Sequence, residues 1–144
     1  IVVSELRSYD QDPIFGLQVM SEIAQRALSP SLNDPQTAID VIRRQSRMLH
    51  LWDMKTVDDP LPGLRVRQMP GKEAVEVAFD AIARDGANMV EVQLALQEVL
   101  ARLVDHGDPS IRLAARAISE RALKRSDEAL LLQHDRDRLH AAAP

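Results

Sequence analysis

Apolar residues recur at three- and four-residue spacing in five stretches of the chain, and the rhythm breaks at proline, glycine and Asp-Pro steps between them. That period places one stripe on each of five helices. The first runs from Pro13 and carries Ile14, Leu17, Met20, Ile23, Ala24, Ala27 and Leu28. It stops at Ser29-Pro30, because the residue before a proline is pushed out of the α region. The second starts at Asp34-Pro35 and runs to about Trp52, with Ala38, Val41, Ile42, Met48, Leu49 and Trp52 on its inner face. So short a connection predicts an antiparallel helical hairpin.

Residues 53–71 hold three prolines and two glycines, which breaks the helical pattern; within them Leu64-Arg65-Val66-Arg67 alternates like a short strand. Helices resume over Lys72 to about Asp85, with Val75, Ala78, Phe79 and Ile82, and over about Asn88 to Asp105, with Val92, Leu96, Val99, Leu100 and Leu103. Gly86 and Gly107 are their stop signals. Asp108-Pro109 opens the last helix, whose inner side reads Ile111, Ala114, Ala115, Ile118, Ala122, Ala129 and Leu132. Beyond Ser126 the pattern weakens, so 134–144 reads as a frayed tail. Residues 1–11, β-branched at the start, read as the end of an upstream element. The sum is a mainly α, single-domain bundle of about five helices over 1–144, beginning with an α-hairpin and carrying a minor β-element.

Composition narrows the chemistry. With 144 residues, 45% hydrophobic and 28% charged, the chain can bury a real core and is not disordered. It has no cysteine, which removes disulfides, thiolate metal sites and cysteine nucleophiles, and suits either side of a membrane. No apolar run approaches the roughly 20 residues needed to span a bilayer. A formal charge of −4 gives no global attraction to nucleic acid or anionic lipid, and 3% aromatics offer few stacking platforms for bases or sugars, which argues against both partners.

Polar residues crowd around the first two helix starts. Asp12 and Asp34 can cap, and Pro13 and Pro35 fill first-turn positions that need no N–H partner. That leaves Arg7, Gln11, Arg26, Asn33 and Thr37 as a surplus. Helix N-termini with nearby arginines can hold a phosphate or carboxylate. The competing view is that Asp12 and Asp34 already occupy those N–H groups and that an arginine braces one of them. Since an occupied cap is a poor anion site, bracing is preferred, and Arg7, Gln11, Asp12, Arg26, Asn33, Asp34 and Thr37 stand as the candidate ligand-binding set.

Other candidates are weaker. His50, His106, His134 and His140 lack metal-ligand spacing, and His134 with Asp135 and Asp137 reads as a solvated helix end. No Gly-x-Ser-x-Gly elbow or glycine-rich phosphate loop occurs. Glu22 and Asp40 can pair only if the first two helices bring them together. Arg43, Arg44 and Arg47 form a basic stripe read as a solvated face. Gly16 permits close helix packing. No catalytic residue, metal or cofactor is assigned.

The run Gln11-Asp12-Pro13-x-Phe15-Gly16, followed by Ile23-Ala24-x-Arg26-Ala27-Leu28-Ser29-Pro30-x-x-Asn33-Asp34-Pro35-x-Thr37-Ala38, resembles a family of predicted bacterial integral membrane proteins, the domain-of-unknown-function family twenty-two fifty-four. The motif covers about the first quarter of the chain, and departs from the family at Ser8, where threonine is expected, and at Gln36, where an aromatic is commoner. The resemblance implies several transmembrane helices followed by a soluble region, with this chain at its C-terminal end on the cytoplasmic side. Its implied partner is the membrane-embedded part of the same polypeptide. The resulting expectation is a non-catalytic module for assembly or for coupling a signal or ligand to the membrane part; the alternative is a small-molecule or anion-binding domain, possibly an enzyme, at the first two helix starts. Leu123, Leu130, Leu131 and Leu132 cannot all face one core from one helix, which predicts a homo-oligomer.

Overall fold

The computed structural model describes residues 13–52 and 70–144, and its regular elements are six helices: α1 (Pro13–Ala27), α2 (Pro35–Trp52), α3 (Gly71–Asp85), α4 (Val90–Leu103), α5 (Pro109–Ala129) and α6 (Gln133–Ala142). No strand occurs among the described residues, and 64–67, expected as a short strand, lie outside them, as do 1–11.

Point contacts give the directions. Asp34 N–H donates to the Ala27 carbonyl at the turn, and Gln45 Nε2 donates to the Leu17 carbonyl (3.0 Å) three turns further along both helices. The first two helices are therefore antiparallel, as expected. Gln93 Nε2 reaches the Ala83 carbonyl (3.1 Å), which folds α3 and α4 into a second hairpin. Gly71 abuts Ser110 and Ile111 at the starts of α3 and α5, and Asp80 faces Arg121 and Arg125 further along, so these two helices run parallel. In the same way Ile39 shares a groove with Glu91 and Ala95, and His106 meets Leu49, so α2 and α4 run parallel.

The result is two layers running in opposite directions, α1–α3–α5 against α2–α4. Their core is built from Leu17, Ile42, Leu49, Phe79, Ile82, Leu96, Leu100 and Ile118, all essentially without solvent exposure. Every position expected on the inner faces of α3 and α4 is buried.

Three expectations are corrected. Among the described residues the helices number six, because residues expected to fray form α6. Its sequence is polar, which hides it from a periodicity search; the helix is held by Leu139 (1% exposed), by Gln133 donating to Asp137 (2.8 Å) and by His140 Nε2 against the Asp127 carboxylate (3.0 Å). Second, Ala129 and Leu132 do not continue the inner face of α5. The helix ends at Ala129, Leu130 turns inward (8% exposed), and Leu131 and Leu132 point out. Third, Ile23, expected on the inner stripe of α1, is 48% exposed.

At Gly71 a Cβ would lie 2.6 Å from Ile111 Cγ1, 2.9 Å from an Asp108 carboxylate oxygen and against the Ser110 hydroxyl. The close approach of two helix starts needs a glycine here. Gly71→Ala should therefore destabilise the bundle by about 1–3 kcal/mol through overpacking, whereas the same change at an unhindered site stabilises by roughly 0.4–1 kcal/mol. The sign of the shift in a denaturant midpoint decides.

Candidate functional site

The turn joining α1 to α2 is tied by its own hydrogen bonds. Ser29 N–H and Oγ both donate to the Arg26 carbonyl (3.1 and 2.7 Å), and the N–H groups of Leu32 and Asn33 donate to the Ser29 carbonyl (3.1 and 2.8 Å). Asn33 adopts a left-handed conformation (φ 44°), which asparagine tolerates better than most side chains. That reversal delivers Asp34 to the start of α2, where Oδ1 accepts from Thr37 N–H (3.1 Å) and Oδ2 from the Thr37 hydroxyl (2.5 Å). The Thr37 hydroxyl is the main reason that the Asp34 carboxyl lies below its ordinary range, with the Thr37 N–H next.

Beside this turn lies a groove of about 530 Å³, walled by Gln25, Leu28, Ser29, Pro30 and Asn33 from the first hairpin and by Asp85, Asn88 and Met89 from the second. Its volume is in the range of small-ligand clefts. The one charged side chain in the lining is Asp85, which is paired with Arg84 Nε (2.8 Å). The remaining polar groups are amides and a hydroxyl. Such a lining suits a neutral or cationic hydrogen-bonding group and gives an anion no counter-charge.

The candidate set from the sequence is thus divided. Asp34 and Thr37 form the cap, Asn33 lines the groove, and Arg26 is exposed and not part of its wall. Arg7, Gln11 and Asp12 lie outside the described residues. Antiparallel pairing also puts the two helix starts at opposite ends of the 15-residue α1, whose rise of 1.5 Å per step separates Pro13 from Ala27 by about 21 Å. Glu22 and Asp40 are exposed, each accepting from a glutamine four residues earlier on its own helix, Gln18 (3.4 Å) and Gln36 (3.2 Å). Among the described residues no three His, Asp or Glu side chains gather as a metal cluster.

At the other end of the bundle, His106 (6% exposed) is a node between helices. Asp108 N–H donates to its Nδ1 (3.0 Å), so the ring proton belongs on Nε2, which donates to the Leu49 carbonyl (3.2 Å). That carbonyl is among the last four of α2, which have no partner within the helix. Asp108 in turn caps α5 by accepting from Ser110 N–H and Oγ (both 2.8 Å). The Ser110 hydroxyl leads in holding the Asp108 carboxyl below its usual range. The sequence reading passed over this role for His106, and over three buried glutamines, Gln45, Gln93 and Gln97. Their signal is a glutamine on an apolar stripe, which normally marks a solvent-facing slip in the pattern.

An all-helical, two-layer bundle with an amide-lined groove between its two hairpins defines a helical module. The family model described as "Predicted membrane protein (DUF2254)" matches residues 1–102, and the chain belongs to that family. It is 33% identical over 142 residues to an uncharacterized protein of Mycobacterium tuberculosis and, equally, to one of Mycobacterium bovis. The match covers 88% of this chain and 27% of each relative, so the chain spans about a quarter of their length. No solved structure matches. Among the described residues no helix is long and apolar enough to cross a membrane.

Because the Asp108 and Asp34 carboxyls lie below the ordinary 3.8, their caps contribute fully above that value and are lost as pH falls beneath it. Asp108→Ala should cost about 0.5–2 kcal/mol near neutral pH. The gap between variant and parent in denaturant midpoint should close as the pH is lowered below 3.8. A gap that persists there would show that the carboxylate is not the cap.

Proposed function

We propose that this chain is a non-catalytic module of a membrane protein, working in assembly or in coupling to a membrane-embedded part of the same polypeptide, on the cytoplasmic side. Membership of a family described as a predicted membrane protein supports the setting. The observation that carries the assembly role is the α5–α6 junction. Leu131 is 93% and Leu132 64% exposed, and the backbone presenting them is held: Leu130 N–H donates to the Ser126 carbonyl (2.8 Å) and Arg136 Nη2 to the Leu131 carbonyl (3.2 Å). Two exposed apolar side chains at one turn are the kind of surface that a two-fold contact between copies would bury.

Sedimentation velocity tests this. The chain should run as a homo-oligomer, and Leu131→Ser with Leu132→Ser should give a monomer with unchanged helical circular dichroism. A monomer for both overturns the assembly reading. Protease accessibility of the full polypeptide in spheroplasts and inverted vesicles checks the membrane side; cleavage in intact spheroplasts contradicts it.

The groove supports a second reading, a small-molecule site for a neutral or cationic group bonded by Gln25, Ser29, Asn33 and Asn88. A screen of polar metabolites by thermal shift, repeated on Asn88→Ala, tests it. A ligand whose shift survives that change does not bind there.

A further inference from the structure

We infer that the exposed face of α2 is a docking surface for the anionic phospholipid headgroups of a bilayer. At 100° per residue, Asp40, Arg43, Arg44, Arg47, His50 and Leu51 fall within about 120° of the helix circumference, and all six are exposed. Among the described residues, Arg43, Arg44 and Arg47 make no ion pair or side-chain hydrogen bond, unlike Arg84, Arg102, Arg121 and Arg125, which each have a carboxylate partner. The nearby acids do not neutralise them: Asp40 accepts from Gln36, and Glu98, in the groove that Arg43 also lines, is taken by Arg102 (2.6 Å). Glu91 is the remaining acid in that groove. The three guanidinium groups therefore present a concentrated positive field on a chain whose formal charge is −4. Leu51, 65% exposed, adds an apolar contact at the end of the same face.

Charge complementarity selects the occupant. Each basic side chain at an anionic membrane surface raises partitioning about fivefold, so three raise it by up to about a hundredfold. That is weak for a free chain. It becomes effective when the module is tethered to a bilayer, where the headgroups are at high local concentration. The inference rests on the reading of this chain as part of a membrane protein.

Co-sedimentation with vesicles of equal parts phosphatidylglycerol and phosphatidylcholine, against phosphatidylcholine alone, tests it. The chain should prefer the anionic vesicles, and R43Q/R44Q/R47Q should lower that partitioning at least tenfold with helical circular dichroism unchanged. The charge-matched control K72Q/R116Q/K124Q, placed on α3 and α5, should lower it much less. Equal binding to both vesicles overturns the inference, as does a triple variant that behaves like the parent or like the control. So does binding to polyglutamate or a DNA duplex without binding to phosphatidylglycerol. Membrane fractionation of the full polypeptide tests the underlying reading separately, since a membrane-spanning chain sediments with or without these arginines.

Discussion

Three buried glutamines join the two layers, and the relative position of the helices depends on them. Gln45 bonds α2 to α1, Gln93 bonds α4 to α3, and Gln97 accepts the Ser119 hydroxyl (2.6 Å) while donating to the Ser119 carbonyl (3.4 Å), bonding α4 to α5. Alanine, leucine and valine stripes pack almost as well after a slide of one turn. A buried amide does not, because losing its partner leaves a desolvated polar group, a penalty of roughly 1–3 kcal/mol. Side-chain volume thus drives the layers together, and the amides select one register.

With that register set, the ends of the bundle acquire different characters. One end collects the hairpin turns, the starts of α2 and α4, and the amide-lined groove. The other collects the starts of α1, α3 and α5 with the His106 node. At that node a single neutral imidazole satisfies an orphan carbonyl of α2 and a backbone N–H of the next turn. Gly71 then lets α3 begin against the cap of α5. The connections from α1 to α2, α3 to α4 and α4 to α5 are short turns.

The first five helices were legible in the sequence because their limits rest on local chemistry: proline at the first turn, an aspartate cap, a stop at Ser-Pro or Gly. α6 was not legible, since one buried leucine in a ten-residue helix with seven polar residues leaves no stripe, and part of what holds the helix, the pairing of His140 with Asp127, comes from a different helix. Of the polar set from Arg7 to Thr37, the described members take separate roles, Asp34 and Thr37 in the cap of α2 and Asn33 in the groove wall, and their residue types alone do not separate a cap from a groove wall. The groove could not be foreseen, because Asp85 and Asn88 meet Asn33 only through the parallel packing of α1 on α3.

The same packing keeps the exposed features apart. Leu131 and Leu132 sit at the α5–α6 turn, whereas the arginines run along α2, which packs with α1, α3 and α4 and has no contact of note with α5. The two exposed surfaces therefore share no side chain. The groove lies between the two hairpins that carry neither leucine.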